Sequence, residues 1–62
     1  MANRILQSTE TGMYLGGWDK FGQPKFVADK SLANTMNFPT ASRVAGNLKD
    51  IFNKGDFTVK TI

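Results

Sequence analysis

The residues best suited to chemistry in this sequence are four aromatic side chains interleaved with two lysines over a short stretch. They are Tyr14, Trp18, Lys20, Phe21, Lys25 and Phe26. Planar rings can stack on bases while ammonium groups meet phosphates, as on sheets that bind single strands. The same rings can form the centre of a protein interface, because Trp and Tyr bury much area at small entropic cost. The spacing therefore predicts a binding surface for either a protein or a nucleic acid.

A purely structural role competes with this prediction. A chain of 62 residues has few apolar side chains to spare, so core packing explains Trp18 and Phe26 as well as binding does. Phe21 stands beside Gly22 in a predicted turn, where a ring has little core to reach. The lysines of this stretch, together with Lys60, are most simply solvated charges. The sequence leaves the position of Trp18 and Phe26, core or surface, open.

Catalysis has no recognisable residue set in this chain. Histidine and cysteine are absent, which removes thiol nucleophiles, the usual general base and Cys/His zinc sites. The carboxylates lack the spacing of paired catalytic acids or of a calcium loop: Glu10, Asp19, Asp29, Asp50 and Asp56. Gly16 and Gly17 are not followed by the lysine and hydroxyl residue of a phosphate-binding loop. We therefore expect a non-enzymatic protein with no catalytic residues, metal or cofactor.

A helix between Thr40 and Gly55 is the strongest structural prediction from the sequence. Its apolar residues recur at helical spacing and give one buried face: Val44, Ala45, Leu48, Ile51 and Phe52. Thr40, following Pro39, is the predicted N-cap, and Gly55 suits the left-handed position beyond the C-terminus. Gly46 costs about 1 kcal/mol relative to alanine inside a helix, which predicts a close approach to a sheet.

Alternating apolar residues predict strands on both sides of this helix. The predicted strands are Arg4 to Ser8, Met13 to Trp18, Lys25 to about Asp29, and a last strand within Asp56 to Ile62. Residues 30–38 are ambiguous, and a turn at Ser31 to Asn34 followed by extended chain is favoured.

The second strand carries two further predictions. Alternation places Tyr14 and Trp18 on one face, opposite to the face of Leu15. Gly16 and Gly17 weaken a strand interior and therefore indicate a bulge or a close approach of the backbone.

Together these elements predict an α+β fold, with one domain spanning residues 1–62 and the order β-β-β-α-β. Three to four antiparallel strands form a small sheet, and the helix packs on one face. Ile5 and Leu6 are adjacent, as are Phe26 and Val27, so either face of those strands is compatible with burial. The remaining face is left for solvent, a second copy or a partner, so a monomer and a small homo-oligomer both fit.

Charge and hydropathy limit the kinds of partner and the cellular compartment that we expect for this protein. The net charge of +3 is spread along the chain, which permits weak attraction to nucleic acid or acidic proteins. No apolar run approaches the roughly 20 residues that cross a bilayer, and the first residues lack a signal-peptide core. We expect a soluble cytoplasmic protein with no membrane contact.

Three motifs carry a resemblance that covers most of the chain. They are T-G-x-Y-L at Thr11 to Leu15, W-D-x-x-G-x-P-x-F at Trp18 to Phe26, and M-x-F-x-T at Met36 to Thr40. The sequence resembles the short orphan accessory proteins encoded by bacteriophages and prophages. This resemblance implies a small protein that binds and blocks a host macromolecule in the host cytoplasm, during host takeover or against a defence system. It implies no catalysis.

Three hypotheses follow for the exposed aromatic surface. In the first, a host protein is bound through one set of residues: Tyr14, Trp18, Lys20, Phe21, Lys25 and Lys60. In the second, Tyr14 and Trp18 stack on nucleic acid from the uncovered sheet face while the lysines contact phosphates. In the third, the chain is a homo-oligomer that covers its own sheet.

Overall fold

The alternating and helical patterns of the sequence become four strands and one helix in the computed structural model, which describes residues 3–62. The elements are β1 (Arg4–Ser8), β2 (Tyr14–Trp18), β3 (Pro24–Val27), a 3₁₀ turn (Lys30–Leu32), α1 (Phe38–Asp50) and β4 (Phe57–Thr61). The strands form one antiparallel sheet in the order β3-β2-β1-β4. The predicted α+β class, antiparallel sheet, single helix and element order are confirmed.

The sheet consists of two strand pairs, β1 with β4 and β2 with β3, and only a short stretch of pairing between β1 and β2 joins them. β1 and β4 form a continuous ladder from Arg4 opposite Thr61 to Ser8 opposite Phe57. β2 and β3 form a hairpin. The two pairs meet where Gln7 lies opposite Tyr14.

Beyond that meeting point, the extended chain before the helix bonds to both strand pairs. Arg4 and Met36 exchange two backbone hydrogen bonds, each of 2.9 Å, and the Asn34 amide donates to the Leu15 carbonyl at 2.8 Å. The segment 34–36 therefore links β1 to β2 where the two strands no longer pair. The predicted order of a turn followed by extended chain is confirmed, with the turn at Lys30–Leu32 and the extended chain ending before Phe38, which belongs to the helix.

The core lies between the helix and one face of the sheet. Its buried members come from β1, β2, the bridging segment and α1: Leu6, Leu15, Met36, Ala41 and Leu48. The helix lies on β1 and β4. Leu6 and Phe26 face the helix, which leaves Ile5 and Val27 on the opposite side of the sheet. Ile5 is nonetheless only 1% exposed, so the face without the helix is closed at that position.

The N-cap of the helix lies three residues before the predicted one. Asn37 is the N-cap, and its Oδ1 accepts a hydrogen bond of 3.0 Å from the Thr40 amide. Thr40 is therefore a donor to the cap, and its prediction as the N-cap is wrong. Pro39 lies in the first turn, where a missing N–H leaves no hydrogen bond unmade.

The helix also ends earlier than predicted, at Asp50. Asn53 adopts a left-handed conformation with φ of 56°, and the Lys54 amide donates to the Leu48 carbonyl at 2.8 Å. Gly55 has the predicted positive φ, 82°, but the left-handed residue nearer the end of the helix is Asn53. Asparagine tolerates this conformation better than most residues. Ile51, predicted on the buried stripe, is 69% exposed.

Gly46 does not approach the sheet. A Cβ atom at this position would meet nothing within 4 Å, and the residue is exposed. The predicted close contact is wrong, so this glycine weakens the helix without a packing benefit visible in residues 3–62.

Candidate functional site

The hairpin turn between β2 and β3 presents Phe21 to solvent on a well-bonded loop. The Asp19 carboxylate accepts hydrogen bonds from the amides of Phe21 and Gln23, at 2.8 and 2.9 Å. The Asp19 amide donates to the Gln23 carbonyl at 2.9 Å, and Gly22 has the positive φ, 79°, that such loops need. Phe21 is 77% exposed. Asp19 therefore fixes the backbone from which this ring projects.

Lys20 lies beside Phe21 in the same turn. Its Nζ is 5.3 Å from the centroid of the Phe21 ring, within the range of a cation–π contact. The turn consequently offers an apolar ring and a positive charge side by side.

Trp18 faces the helix because of a bulge in β2. Leu15 lies opposite Phe26 and Gly17 lies opposite Lys25, so Gly16 is one extra residue on this strand. The extra residue reverses the alternation that follows it. The bulge predicted at the two glycines is confirmed, but the prediction that Trp18 shares a face with Tyr14 is wrong.

The Trp18 ring packs against Phe52, just beyond the end of α1. The ring centroids are 5.5 Å apart and the planes are tilted by 44°. Trp18 remains 41% exposed. It is thus both a packing residue and part of the surface, which answers the question that the sequence leaves open. Phe26 is half-buried and packs against the core.

Tyr14, Lys25 and Lys60 lie on the face of the sheet opposite to the helix. Tyr14 stands in a cross-strand row between Gln7 and Val27. Lys25 belongs to β3 and Lys60 to β4, which are the two outer strands. The six predicted residues therefore form two separate groups. We call Trp18, Lys20 and Phe21 the tip patch, and Tyr14, Lys25 and Lys60 the open-face group.

Phe52 lies near the tip patch, and its role there was not predicted from the sequence. Its place in the apolar stripe of the helix predicted burial, whereas it is partly buried and braces Trp18. A signal for this arrangement exists in Asn53, because its tolerance of the left-handed conformation indicates that the helix ends before Asn53 and leaves Phe52 beyond the helix.

The lysines of the tip patch and the open-face group are not paired with carboxylates in residues 3–62. Among residues 3–62 there is one ion pair, between Lys49 Nζ and an Asp56 carboxylate oxygen at 3.0 Å. The hydrogen bond to Asp56 raises the pKa of Lys49. The lysines of the tip patch and the open-face group have no such partner within the described residues, so their charges are available to an incoming molecule.

Metal binding and membrane crossing find no support in residues 3–62. No group of three or more acidic, cysteine or histidine side chains in this range could hold a metal ion. Within the same range, no helix has the length and apolar character that crossing a membrane requires.

Comparison of the chain with protein-family models, curated proteins and solved structures found no match.

Proposed function

We propose that this chain is a non-enzymatic binding protein that blocks a surface of a partner protein, with the tip patch at the centre of the interface. The observation that carries this proposal is the 77% exposure of Phe21 on a turn held by the Asp19 carboxylate. An aromatic ring on a surface with no packing role is a typical anchor of protein interfaces.

The rigidity of the turn favours this use. Binding loses less free energy to ordering when the contact residue is already held in place. Two hydrogen bonds to Asp19 hold the backbone under Phe21, and Phe52 supports the Trp18 ring. Trp18 adds a second, partly exposed ring, while Lys20 adds a charge that can steer an acidic partner.

The kind of partner follows from the resemblance in sequence to phage and prophage accessory proteins. Such a protein acts in the cytoplasm of a bacterial host by covering a functional surface of a host protein, as a takeover factor or an inhibitor of a defence system. A chain of 62 residues suits this task, since occlusion requires only one well-packed contact patch.

The nucleic-acid alternative loses its main geometric feature. It requires Tyr14 and Trp18 on one face as neighbouring stacking platforms, yet the bulge places them on opposite faces. Lys25 and Lys60 lie on the two outer strands with two strands between them. Tyr14 is therefore left as a single stacking ring between two separated lysines. This arrangement supports nucleic-acid binding less well than the tip patch supports binding to a protein.

The experiment is capture of partners by the tagged protein from a lysate of the bacterium that carries the gene, with and without nuclease. Wild type is compared with Phe21→Ala and with Leu32→Ala. Leu32 is a matched control, because it is 63% exposed and lies outside the tip patch, in the 3₁₀ turn. We expect a stoichiometric protein that survives nuclease, is lost with Phe21→Ala and is kept with Leu32→Ala.

Two results would contradict the proposal. Equal recovery with Phe21→Ala and Leu32→Ala would exclude the tip patch as the anchor. Recovery that collapses with nuclease, and that weakens steeply as salt rises, would favour nucleic acid, because phosphate contacts release counterions.

A further inference from the structure

A cleft of about 220 Å³ lies on the helix side of the sheet, away from the tip patch. Its lining combines apolar and polar side chains: Ser8, Thr11, Met13, Phe26, Lys54 and Phe57. The rings of Phe26 and Phe57 stack with centroids 5.7 Å apart and form an apolar wall. The cleft is large enough for a small apolar group, and it has a polar side.

Ser8 supplies an unused hydrogen-bond donor to this cleft. Ser8 itself is buried, with 5% of its surface exposed. Its Oγ accepts hydrogen bonds from the amides of Glu10 and Thr11, both at 3.2 Å. Within residues 3–62, no acceptor receives the hydroxyl proton of Ser8. A buried hydroxyl with its lone pairs engaged is satisfied by an acceptor oxygen.

Lys54 supplies a positive charge to the same cleft. The neighbouring Asp56 carboxylate is engaged by Lys49. The Glu10 carboxylate lies against Gly55, since a Cβ there would be 2.8 Å from Glu10 Oε1. In the described part of the chain, Lys54 has no carboxylate within 4 Å, so its ammonium group is available to an anion.

We propose that this cleft binds a small apolar carboxylic acid. The apolar part lies against Met13, Phe26 and Phe57, and the carboxylate is held by the Lys54 ammonium group and the Ser8 hydroxyl. A carboxylate matches both polar groups, because it accepts hydrogen bonds and carries the opposite charge. This site is separate from the tip patch and does not depend on it.

The test is titration of the full chain with octanoate, followed through backbone amide shifts in ¹H–¹⁵N NMR spectra. The uncharged 1-octanol serves as the matched ligand control. We expect saturable shifts concentrated at the cleft residues, and a Kd for 1-octanol at least about tenfold higher. Shifts spread over the surface, or equal Kd values for the two ligands, would overturn the proposal.

Variants distinguish a specific contact with Lys54 from an effect of the net charge on octanoate binding. Lys54→Met keeps the length of the side chain and removes the charge, and it should raise the Kd of octanoate about tenfold. Lys30→Met, an exposed lysine in the 3₁₀ turn, should leave the Kd unchanged, as should Phe21→Ala. An equal effect of Lys54→Met and Lys30→Met would show that octanoate senses only the net charge. That result would overturn the assignment.

Discussion

Phe26 and Phe57 stack on each other although they belong to the two outer strands of the sheet. Their ring centroids are 5.7 Å apart and their planes differ by 22°. Since neighbouring strands lie about 4.8 Å apart, outer strands of a flat four-stranded sheet are roughly 14 Å apart. The two rings therefore reach over the inner strands on the helix side of the sheet, and their contact connects the two outer strands.

This contact predicts a coupling between the two phenylalanines. Phe26→Leu and Phe57→Leu should each lower the free energy of unfolding by about 1 kcal/mol. In a double-mutant cycle the two changes should couple by about 0.5–1.5 kcal/mol, the usual range for an aromatic pair. Urea unfolding followed by far-UV circular dichroism measures this. Leucine keeps enough apolar volume for the variants to fold.

Phe38 provides the control for that cycle. It is 55% exposed and contacts the Arg4 guanidinium, 5.6 Å from the ring centroid. Phe38→Leu should show no coupling to Phe26→Leu. Coupling of similar size in both pairs would mean that the Phe26–Phe57 contact has no special role.

Trp18 and Phe21 should differ in their effect on stability. Trp18→Ala loses the contact with Phe52 and should lower the free energy of unfolding by about 2 kcal/mol, less than for a fully buried tryptophan. Phe21→Ala should change it by less than about 0.5 kcal/mol, because the ring is exposed. Chemical denaturation of both variants checks this. A large loss of stability with Phe21→Ala would show that the ring packs against the domain.

Two glycines predict opposite responses to alanine. Gly46→Ala should raise the free energy of unfolding by about 0.5–1 kcal/mol, because the site is helical and open. Gly16→Ala should lower it by about 1–3 kcal/mol, because the new Cβ would lie 2.7 Å from Val27 Cγ1. Thermal unfolding distinguishes them.

Shortening Val27 tests the cause at Gly16. In a Val27→Ala background the penalty of Gly16→Ala should shrink, since the clashing methyl group is gone. An unchanged penalty would place the cause in the backbone of the bulge instead.

Asp29 predicts a dependence of stability on pH. The Asp29 carboxylate accepts hydrogen bonds from the Ser31 amide and hydroxyl, both at 2.9 Å, and these lower its pKa below the ordinary 3.8. Because the folded-state pKa is the lower one, the stabilisation is fully present above the unfolded-state value. It is lost as the pH falls through the folded-state pKa.

Comparison with Asp29→Asn isolates this charge. The urea midpoint of wild type should exceed that of Asp29→Asn near neutral pH, and the difference should vanish in strong acid. In a Ser31→Ala background the difference should be smaller throughout, because one of the two hydrogen bonds is absent. A difference that stays constant with pH would argue against the carboxylate as its source.

The elements of this fold are predictable from the sequence because they depend on neighbours along the chain. Alternation and helical spacing indicated three to four strands and one helix, and the Gly-Gly pair indicated a bulge or a close approach of the backbone, of which the bulge is present. The exposure of Phe21 follows from its place in a turn. The ends of the helix were predicted less accurately. Asn37 and Thr40 both belong to residue types that cap helices, and the hydrogen bond that forms, from the Thr40 amide to Asn37, makes Asn37 the cap.

The sides of the sheet were decided only by the tertiary structure. Alternation defines two faces for each strand, but it does not say which face the helix covers, so Leu6 and Ile5 were equivalent until α1 lay on β1. Which residues form the candidate surface was also decided by the tertiary structure. One extra residue at Gly16 turned Trp18 toward Phe52 and away from Tyr14. A single-residue shift reverses every later side chain on a strand, because their period is two residues, and the register that fixes it belongs to the partner strand.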